Sequence, residues 1–369
     1  MNTRVWMEVD LSAIRHNAGL IKEHTGRKLL AVVKANGYGQ GAAALAGALA
    51  EQADYFGVAN PEEGLELRKA GIKKPILVFG PARPSEIKES LRRDLTLSVA
   101  APENITAIRK EAEKQRKICR VHLKVDTGMG RLGLLPEAVP AAVEKIRQTE
   151  NLLLEGIYSH FSTAGAKDRT AAENQLEKFK EVLRSPEIRR AEIPLKHMAS
   201  SEAIWQFPQS FFDLVRPGLM LFGTAGLRRS AVWTRSLKPA LTLKTRLVLV
   251  REIPKNSPVS YGGTFITRRK SLVGVLPIGY ADGYNRQLSN QAQVLRRNKK
   301  FPVIGRVCMD MTLVDFTGCN ARSGDEIILM GGPEKTGVML EELAELCGTD
   351  CREILTGLGS KRVKKVYLK

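Results

Sequence analysis

The sequence lacks the features of an exported, membrane-spanning or disulfide-stabilised protein. No apolar run in its 369 residues approaches the roughly 20 residues of a transmembrane helix. The opening segment MNTRVWMEVDLSA contains no apolar signal core. There are only five cysteines, an odd number, which favours reduced thiols. We therefore expect a cytoplasmic protein that is not associated with a membrane.

Aromatic residues are also scarce, at 6% of the chain, and acidic residues are outnumbered. Lysine and arginine total 58 against 39 aspartate and glutamate, a formal net charge of +19. Such an excess raises the question of a nucleic-acid partner. The basic runs, for example RRNKK at 296–300, have few interleaved aromatics on which bases could stack. We therefore expect a solvated basic surface and no nucleic-acid partner; a steep salt dependence of DNA binding would favour such a partner.

Short β-branched runs alternate with amphipathic stretches through the first two thirds of the chain. Strands are predicted at 29–34, 55–59, 76–80, 95–100, 121–126, 154–161, 195–200 and 212–218. Eight strands that alternate with helices favour a (β/α)8 TIM-type barrel, here over residues 11–228, with an open doubly wound sheet as the alternative. Residues 229–369 contain many short strands and turn signals, with one helical period at 339–347, and predict a second, mostly β domain. We expect the strand-like residues 1–10 to pair with that domain.

The active site of a barrel lies at the carboxyl ends of its strands. Cationic and phosphate-binding residue types follow the predicted strands there: Lys34, Lys124, Arg131, His160, His197, Ser201, Arg216, Gly218 and Leu219. Singly these residues are ordinary, but together they predict an anionic ligand, because unpaired cations are costly to bury. A lysine that ends a buried strand can form a Schiff base with a carbonyl cofactor. Beside a phosphate-binding loop and Arg216, it suggests pyridoxal phosphate.

Eight ordered motifs make the chain resemble the alanine racemase family over essentially its whole length. They are AVVKANGYGQG (31–41), VDTGMGRLG (125–133), SHFSTA (159–164), HMASS (197–201), DLVRPGLMLFG (213–223), VSYGGTF (259–265), IGYADGYNR (278–286) and IGRVCMD (304–310). The resemblance implies interconversion of L- and D-alanine on pyridoxal 5'-phosphate, which supplies D-alanine for peptidoglycan. Lys34 would hold the cofactor and act as the base on the D face. Tyr261 of the partner subunit would act on the L face, which implies a homodimer.

The resemblance assigns the remaining site residues by motif. Tyr38, Ser201, Gly218 and Leu219 would bind the phosphate, Arg216 would meet the pyridine nitrogen, and His160 would link Arg216 to Tyr261. Arg131 and Met309 would bind the substrate carboxylate, and Lys124 matches a lysine that is often carbamylated. Tyr280, Arg286 and Arg306 would form the substrate-access corridor, with Asp310 in a supporting position.

The sequence departs from the family pattern at a few positions around this site. Gln40, Ser200 and Gly165 replace a usual histidine, asparagine and acid, and Ser360 or Lys361 stands where a second tyrosine is frequent. A more polar wall would admit serine as well as alanine. Two further functions compete with the racemase. One is a barrel-type amino-acid decarboxylase, whose cysteine would have to be Cys308 inside the racemase motif. The second is a non-enzymatic single-barrel protein, which would need no second domain.

Overall fold

The computed structural model describes residues 3–224, 232–333 and 335–369, which form nineteen strands and twelve helices. The strands are β1 Val5–Asp10, β2 Lys28–Val32, β3 Tyr55–Val58, β4 Ile76–Val78, β5 Thr96–Val99, β6 Cys119–Lys124, β7 Leu152–Tyr158, β8 Leu195–His197, β9 Leu214–Val215, β10 Leu241–Arg246, β11 Leu249–Ile253, β12 Pro258–Val259, β13 Phe265–Ile266, β14 Ser271–Leu276, β15 Gln293–Arg296, β16 Lys299–Pro302, β17 Thr312–Asp315, β18 Glu326–Met330 and β19 Lys364–Leu368. The helices are α1 Leu11–Thr25, α2 Lys34–Tyr38, α3 Ala42–Ala48, α4 Pro61–Lys69, α5 Pro84–Arg92, α6 Pro102–Gln115, α7 Val139–Arg147, α8 Thr170–Arg184, α9 Pro186–Arg190, α10 Ser201–Gln206, α11 Leu340–Leu346 and α12 Cys351–Gly357.

Strands β2 to β9 form the predicted barrel. They pair in parallel in the order β8-β7-β6-β5-β4-β3-β2-β9, so that the first and last barrel strands are neighbours. The remaining gap, between β8 and β9, is closed by a bridge between Ser200 and Arg216. Strands such as β3 and β5 are buried along their whole length, as expected where helices cover the outside of a barrel and side chains fill its inside. The (β/α)8 fold is therefore confirmed, and the open doubly wound sheet is wrong.

The second domain is mostly β, as predicted. Its largest sheet has the order β16-β15-β18-β10-β1-β19, beside a three-stranded and a two-stranded sheet. Strand β1 pairs antiparallel with β10 and parallel with β19 within this sheet. The proposed domain boundary at 228/229 lies outside the described residues and stays a prediction. None of the helices in the described part of the chain is long and apolar enough to cross a membrane.

Helix α12 was missed by the sequence pattern, although it positions the second domain over the barrel mouth. Asp350 caps the helix by accepting from the backbone N–H of Arg352 at 2.7 Å. The helix packs against α2, where a side chain on Gly39 would lie 2.4 Å from Cα of Gly359. Gln40, fully buried, donates from Nε2 to the Leu355 carbonyl at 3.1 Å. One wall of the mouth is thus supplied by the second domain of the same chain.

The turn that follows β2 is left-handed. Ala35, Asn36, Gly37 and Tyr38 all have positive φ, between 51° and 64°. For residues with a Cβ this conformation costs roughly 1–2 kcal/mol each. The Glu63 carboxylate links this turn to the loop after β3, because it accepts from the N–H groups of Ala35 at 2.8 Å and Ala59 at 2.7 Å. This turn sets the direction of Lys34 and Tyr38.

Replacing Glu63 by alanine is expected to destabilise the protein by about 2 kcal/mol, since two amides lose a charged acceptor and the strained turn loses its restraint. Glu62→Ala is the matched control, because Glu62 lies in the same first turn of α4, is exposed and makes no hydrogen bond or ion pair among the described residues. Urea unfolding of both variants measures the difference. Equal stability of the two variants would contradict the role given to Glu63.

Candidate active site

A cavity of about 420 Å³ opens at the carboxyl ends of the barrel strands. Lysine and arginine side chains predominate among its charged groups. The cations that line it are Lys34, Lys124, Arg131, Arg216 and Arg352, whereas Glu202 is the carboxylate among the described lining residues. Such an excess of positive charge in an enclosed space favours an anionic ligand.

Lys34 lies directly after β2 and lines this cavity. Burial lowers the pKa of its amine, and the nearby charges of Arg131 and Arg352 lower it further, while Glu63 acts in the opposite direction. A lowered pKa increases the fraction of neutral amine, which is the form that attacks a carbonyl carbon or accepts a proton.

Arg216, immediately after β9, is buried and is held by several partners at once. Its Nη2 donates to the carbonyls of Ser159 at 2.8 Å and Met198 at 2.9 Å, and lies 3.2 Å from Nδ1 of His160. Its Nη1 lies 2.8 Å from Nδ1 of His197. Burial lowers the pKa of Arg216 to about 10, so the guanidinium remains charged at neutral pH. It therefore presents a fixed donor to the cavity.

A hydrogen-bonded chain leads from Arg216 through the barrel interior. Nε2 of His197 lies 2.9 Å from Nδ1 of His122, and Nε2 of His122 lies 3.3 Å from the Glu155 carboxylate. Tyr158 stacks on His197 with the ring centroids 4.8 Å apart. The sequence analysis did not single out His122, Glu155 or Tyr158. The alternation of side chains along VHLK in β6 could have indicated His122, because it turns this side chain into the barrel.

This chain of hydrogen bonds predicts a pH-dependent stability. Burial lowers the pKa of His122 and of His197 below the ordinary value of 6.5. Below pH 6.5 the unfolded chain therefore binds protons that the native state does not, so stability falls as the pH falls. From pH 7 to 5.5 each buried histidine that stays neutral in the native state reduces the free energy of unfolding by up to about 1.3 kcal/mol, and His160, whose pKa burial also lowers, adds to the effect. Urea titrations at both pH values measure it; His197→Asn should remove one such contribution and leave the rest, and an unchanged loss would contradict the assignment.

The opposite end of the cavity combines a hydroxyl, a glycine and a buried tyrosine. Oγ of Ser201 accepts from the N–H groups of Gly218 at 2.9 Å and Met220 at 3.2 Å. A Cβ on Gly218 would lie 2.1 Å from Oη of Tyr38, so only glycine allows this approach. Burial raises the pKa of Tyr38 to about 12, which keeps its hydroxyl protonated as a donor. Leu219 lines the same end.

Lys124 is the last residue of β6 and lies deep in the cavity. Its Nζ lies 4.6 Å from the centre of the Tyr158 ring. Burial lowers its pKa well below the ordinary range, and the charges of Arg216 and Arg131 add to this effect, while Asp126 opposes it. A neutral amine at this position is open to chemical modification. Arg131 is an exposed side chain at the cavity rim.

His197, which is hydrogen-bonded to Arg216, does not line this cavity, and neither do the six site residues predicted on the second domain: Tyr261, Met309, Tyr280, Arg286, Arg306 and Asp310. On the second domain, Tyr261 is 68% and Met309 52% exposed. Tyr261, Tyr280 and Arg286 share a separate groove of about 650 Å³.

Two ion pairs and one close approach order the loops around that groove. Asp310 pairs with Arg362 at 2.5 Å, and Arg362 pairs with Asp282 at 2.9 Å. The Arg306 guanidinium lies 3.5 Å from where a Cβ on Gly262 would be, next to Tyr261. Tyr261 is exposed in this groove and does not line the cavity that contains the Lys34 of the same chain.

The sequence reasoning missed Arg352 and Glu202, both of which line the cavity. Helix α12, which carries Arg352, was not predicted, and no local pattern relates its residues to α10. Ser360 and Lys361, which motivated the serine hypothesis, do not line the cavity in the described chain.

Fold and cavity together define a class: a (β/α)8-barrel protein with a mostly β second domain and a cationic site at the carboxyl ends of the barrel strands. The model of the alanine racemase N-terminal domain matches residues 9–226, and that of the C-terminal domain matches residues 240–367. The chain belongs to the alanine racemase family, which confirms the resemblance.

Individual relatives cover the whole length. The alanine racemase of Halothermothrix orenii is 41% identical over 375 residues, which cover 100% of this chain and 98% of that protein. The crystal structure of alanine racemase from D-cycloserine producing Streptomyces lavendulae is 34% identical, with a TM-score of 0.92 and coverage of 100% and 98%. That of Bacillus anthracis with bound L-Ala-P is 31% identical, with a TM-score of 0.89 and coverage of 100% and 96%.

Proposed function

We propose that this protein is a pyridoxal-phosphate-dependent racemase that interconverts L- and D-alanine with two bases on opposite faces of the substrate. The main observation in support is a strongly cationic cavity that is lined by both the desolvated Lys34 and the buried Arg216. Family membership supports alanine as the substrate. We expect its product, D-alanine, to serve peptidoglycan synthesis.

The residues fit the cofactor. Lys34 would hold it through its amine. The phosphate would be bound at the end where Tyr38, Ser201, Gly218 and Leu219 converge, and a side chain on Gly218 would fill this space. When bound, pyridoxal phosphate would withdraw electrons from the substrate α-carbon and so acidify its proton.

Arg216 would face the pyridine nitrogen. Since the guanidinium stays charged and is fixed by two carbonyls and His197, it donates a hydrogen bond without transferring a proton. The ring nitrogen would then stay unprotonated, so catalysis would depend more on the placement of the two bases.

Lys34 would handle the proton on the D face, because its lowered pKa increases the fraction of its amine that is neutral and able to accept a proton. The L face needs a second base. Tyr261 is exposed on a surface separate from its own cavity. We propose that the partner subunit's Tyr261 enters the site beside His160 and Arg216, and that the positive charge of Arg216 favours the tyrosinate. The active unit would then be a homodimer.

The substrate carboxylate would be bound by Arg131 and by the partner subunit's Met309, whose backbone would line that pocket. The amine of Lys124, when neutral, would add to carbon dioxide to form a carbamate and release a proton to solvent, which would place an anion opposite Arg131. Tyr280, Arg286 and Arg306 would form the access corridor, and Asp310 would hold the loop that carries Met309 through its pair with Arg362.

The proposal is tested with the full-length protein and pyridoxal phosphate in deuterated buffer. We expect L-alanine to lose its α-proton signal in NMR while D-alanine accumulates. Exchange with retained chirality would leave one base only and overturn the two-base assignment. A cofactor-bound protein that exchanges neither isomer would overturn the choice of alanine.

A further inference from the structure

Arg352 and Glu202 join the second domain to the barrel at the phosphate end of the cavity. Arg352 Nη2 forms a hydrogen-bonded ion pair with Oε1 of Glu202, and its Nη1 pairs with Asp350 at 2.7 Å. Glu202 follows Ser201 directly, in the first turn of α10. The side chains of Arg352 and Glu202 are 38% and 26% exposed, so both are partly removed from water.

The carboxylate of Glu202 would repel the phosphate group of the proposed cofactor. It is the one carboxylate among the described lining residues, and it adjoins the serine that would bind a phosphate dianion. Like charges a few ångströms apart in a partly buried site repel each other more strongly than they would in water. No other lysine or arginine among the described residues forms an ion pair with Glu202, so Arg352 compensates its charge.

Residues of the second domain hold Arg352 in position to pair with Glu202. Asp350 orients the guanidinium from one side and caps α12 by accepting from the N–H groups of Arg352 and Glu353. Asp350 lines a second, neighbouring groove together with Ala35 and Thr356, and it is not among the residues that line the cavity. The Arg352 guanidinium is therefore held by two carboxylates, Glu202 in the cavity lining and Asp350 outside it.

We propose that Arg352 is a positioning residue for the cofactor phosphate: by pairing with Glu202 it removes the repulsion that this carboxylate would exert on the dianion beside Ser201. The proposal rests on the proposed function, since it requires pyridoxal phosphate at this site. It makes cofactor affinity depend on a contact between the two domains of one chain. Loss of Arg352 leaves Glu202 unpaired, whereas loss of both charged groups returns the net charge of the cluster to its wild-type value.

The test titrates full-length protein, freed of cofactor, with pyridoxal phosphate and separately with pyridoxal, which lacks the phosphate. Arg352→Met should weaken binding of pyridoxal phosphate about tenfold and leave that of pyridoxal nearly unchanged. Glu202→Gln should bind pyridoxal phosphate at least as tightly as the wild type. The double variant should regain most of the affinity lost in Arg352→Met. Arg246→Met, which removes a pair with Glu326 in the large sheet, is the matched control.

Each outcome decides the matter. An equal loss for both ligands in Arg352→Met would assign the residue to the docking of α12 and overturn the proposal. A double variant as weak as Arg352→Met would show that Glu202 is not the source of the repulsion, and would also overturn it. If the wild type binds no pyridoxal phosphate, the proposed function fails, and this inference fails with it. Far-ultraviolet circular dichroism of each variant separates these results from misfolding.

Discussion

Replacing Lys34 by alanine is expected to abolish racemisation, with a loss of about 10³-fold or more, and to remove the covalent attachment of pyridoxal phosphate. Lys34 is the only lysine of the described chain that both lines the cavity and follows the first barrel strand. The second lysine of the cavity, Lys124, lies at its deep end against Tyr158 and cannot replace it without moving β6. Turnover of both isomers and the visible absorbance of the bound cofactor measure the two losses.

The matched control is Lys22→Ala, because Lys22 is a barrel lysine that pairs with Asp54 at 3.0 Å outside the cavity. It should retain full activity. In Lys34→Ala the cofactor should be lost on dialysis, because only non-covalent contacts at the phosphate end remain. A Lys34→Ala protein that keeps the absorbance of covalently bound cofactor, or that still racemises alanine at the wild-type rate, would contradict the assignment.

The second large effect is expected for Tyr261→Phe, which removes a single oxygen atom. Exchange of the α-proton of L-alanine should slow by about 10²–10⁴-fold, the usual contribution of a positioned general base. Exchange of the α-proton of D-alanine should be spared, because Lys34 acts on that face, and cofactor affinity should not change. Tyr367→Phe is the control: it removes a hydroxyl that donates to the Gln40 carbonyl at 3.0 Å, away from the proposed reaction.

Mixing the two inactive variants tests the proposed sharing of the site between subunits. A heterodimer of Lys34→Ala and Tyr261→Phe chains contains one site that lacks both bases and one site that has both. Refolding a mixture should therefore restore activity in up to about half of the dimers, with one active site in each. If each subunit uses its own Tyr261, every site lacks one base and no activity returns. That result would overturn the shared site.

The sequence was sufficient for the barrel because its strands are local signals. Each is a short apolar β-branched run, and burial on both sides makes the run continuous. The sequence placed Lys34 at the end of its strand run at 29–34. The structure ends that strand at Val32 and forms a left-handed turn from Ala35 onward, because this conformation depends on the hydrogen bond from Ala35 to Glu63, 28 residues further along the chain.

The motif residues on the barrel, Lys34, Lys124, Arg131, His160 and Arg216, converge as expected, since parallel strands bring their carboxyl ends to one face. The residues of the second domain do not join them within one chain. Tyr261 and Met309 remain exposed on another surface, so their place in the reaction rests on the proposed dimer. No pattern within one chain distinguishes a residue that serves its own site from one that serves a partner's.

Residue types and their periodicity therefore decided the barrel, the β domain and the chemical character of the site. Only the tertiary structure decided which groups touch: the buried pair of His122 and His197, 75 residues apart, and the ion pair of Glu202 and Arg352, 150 residues apart. Periodicity reports which face of an element is buried, but not what lies against it. The pKa of Lys34 depends on such tertiary contacts, because it is set by burial and by charges from distant parts of the chain.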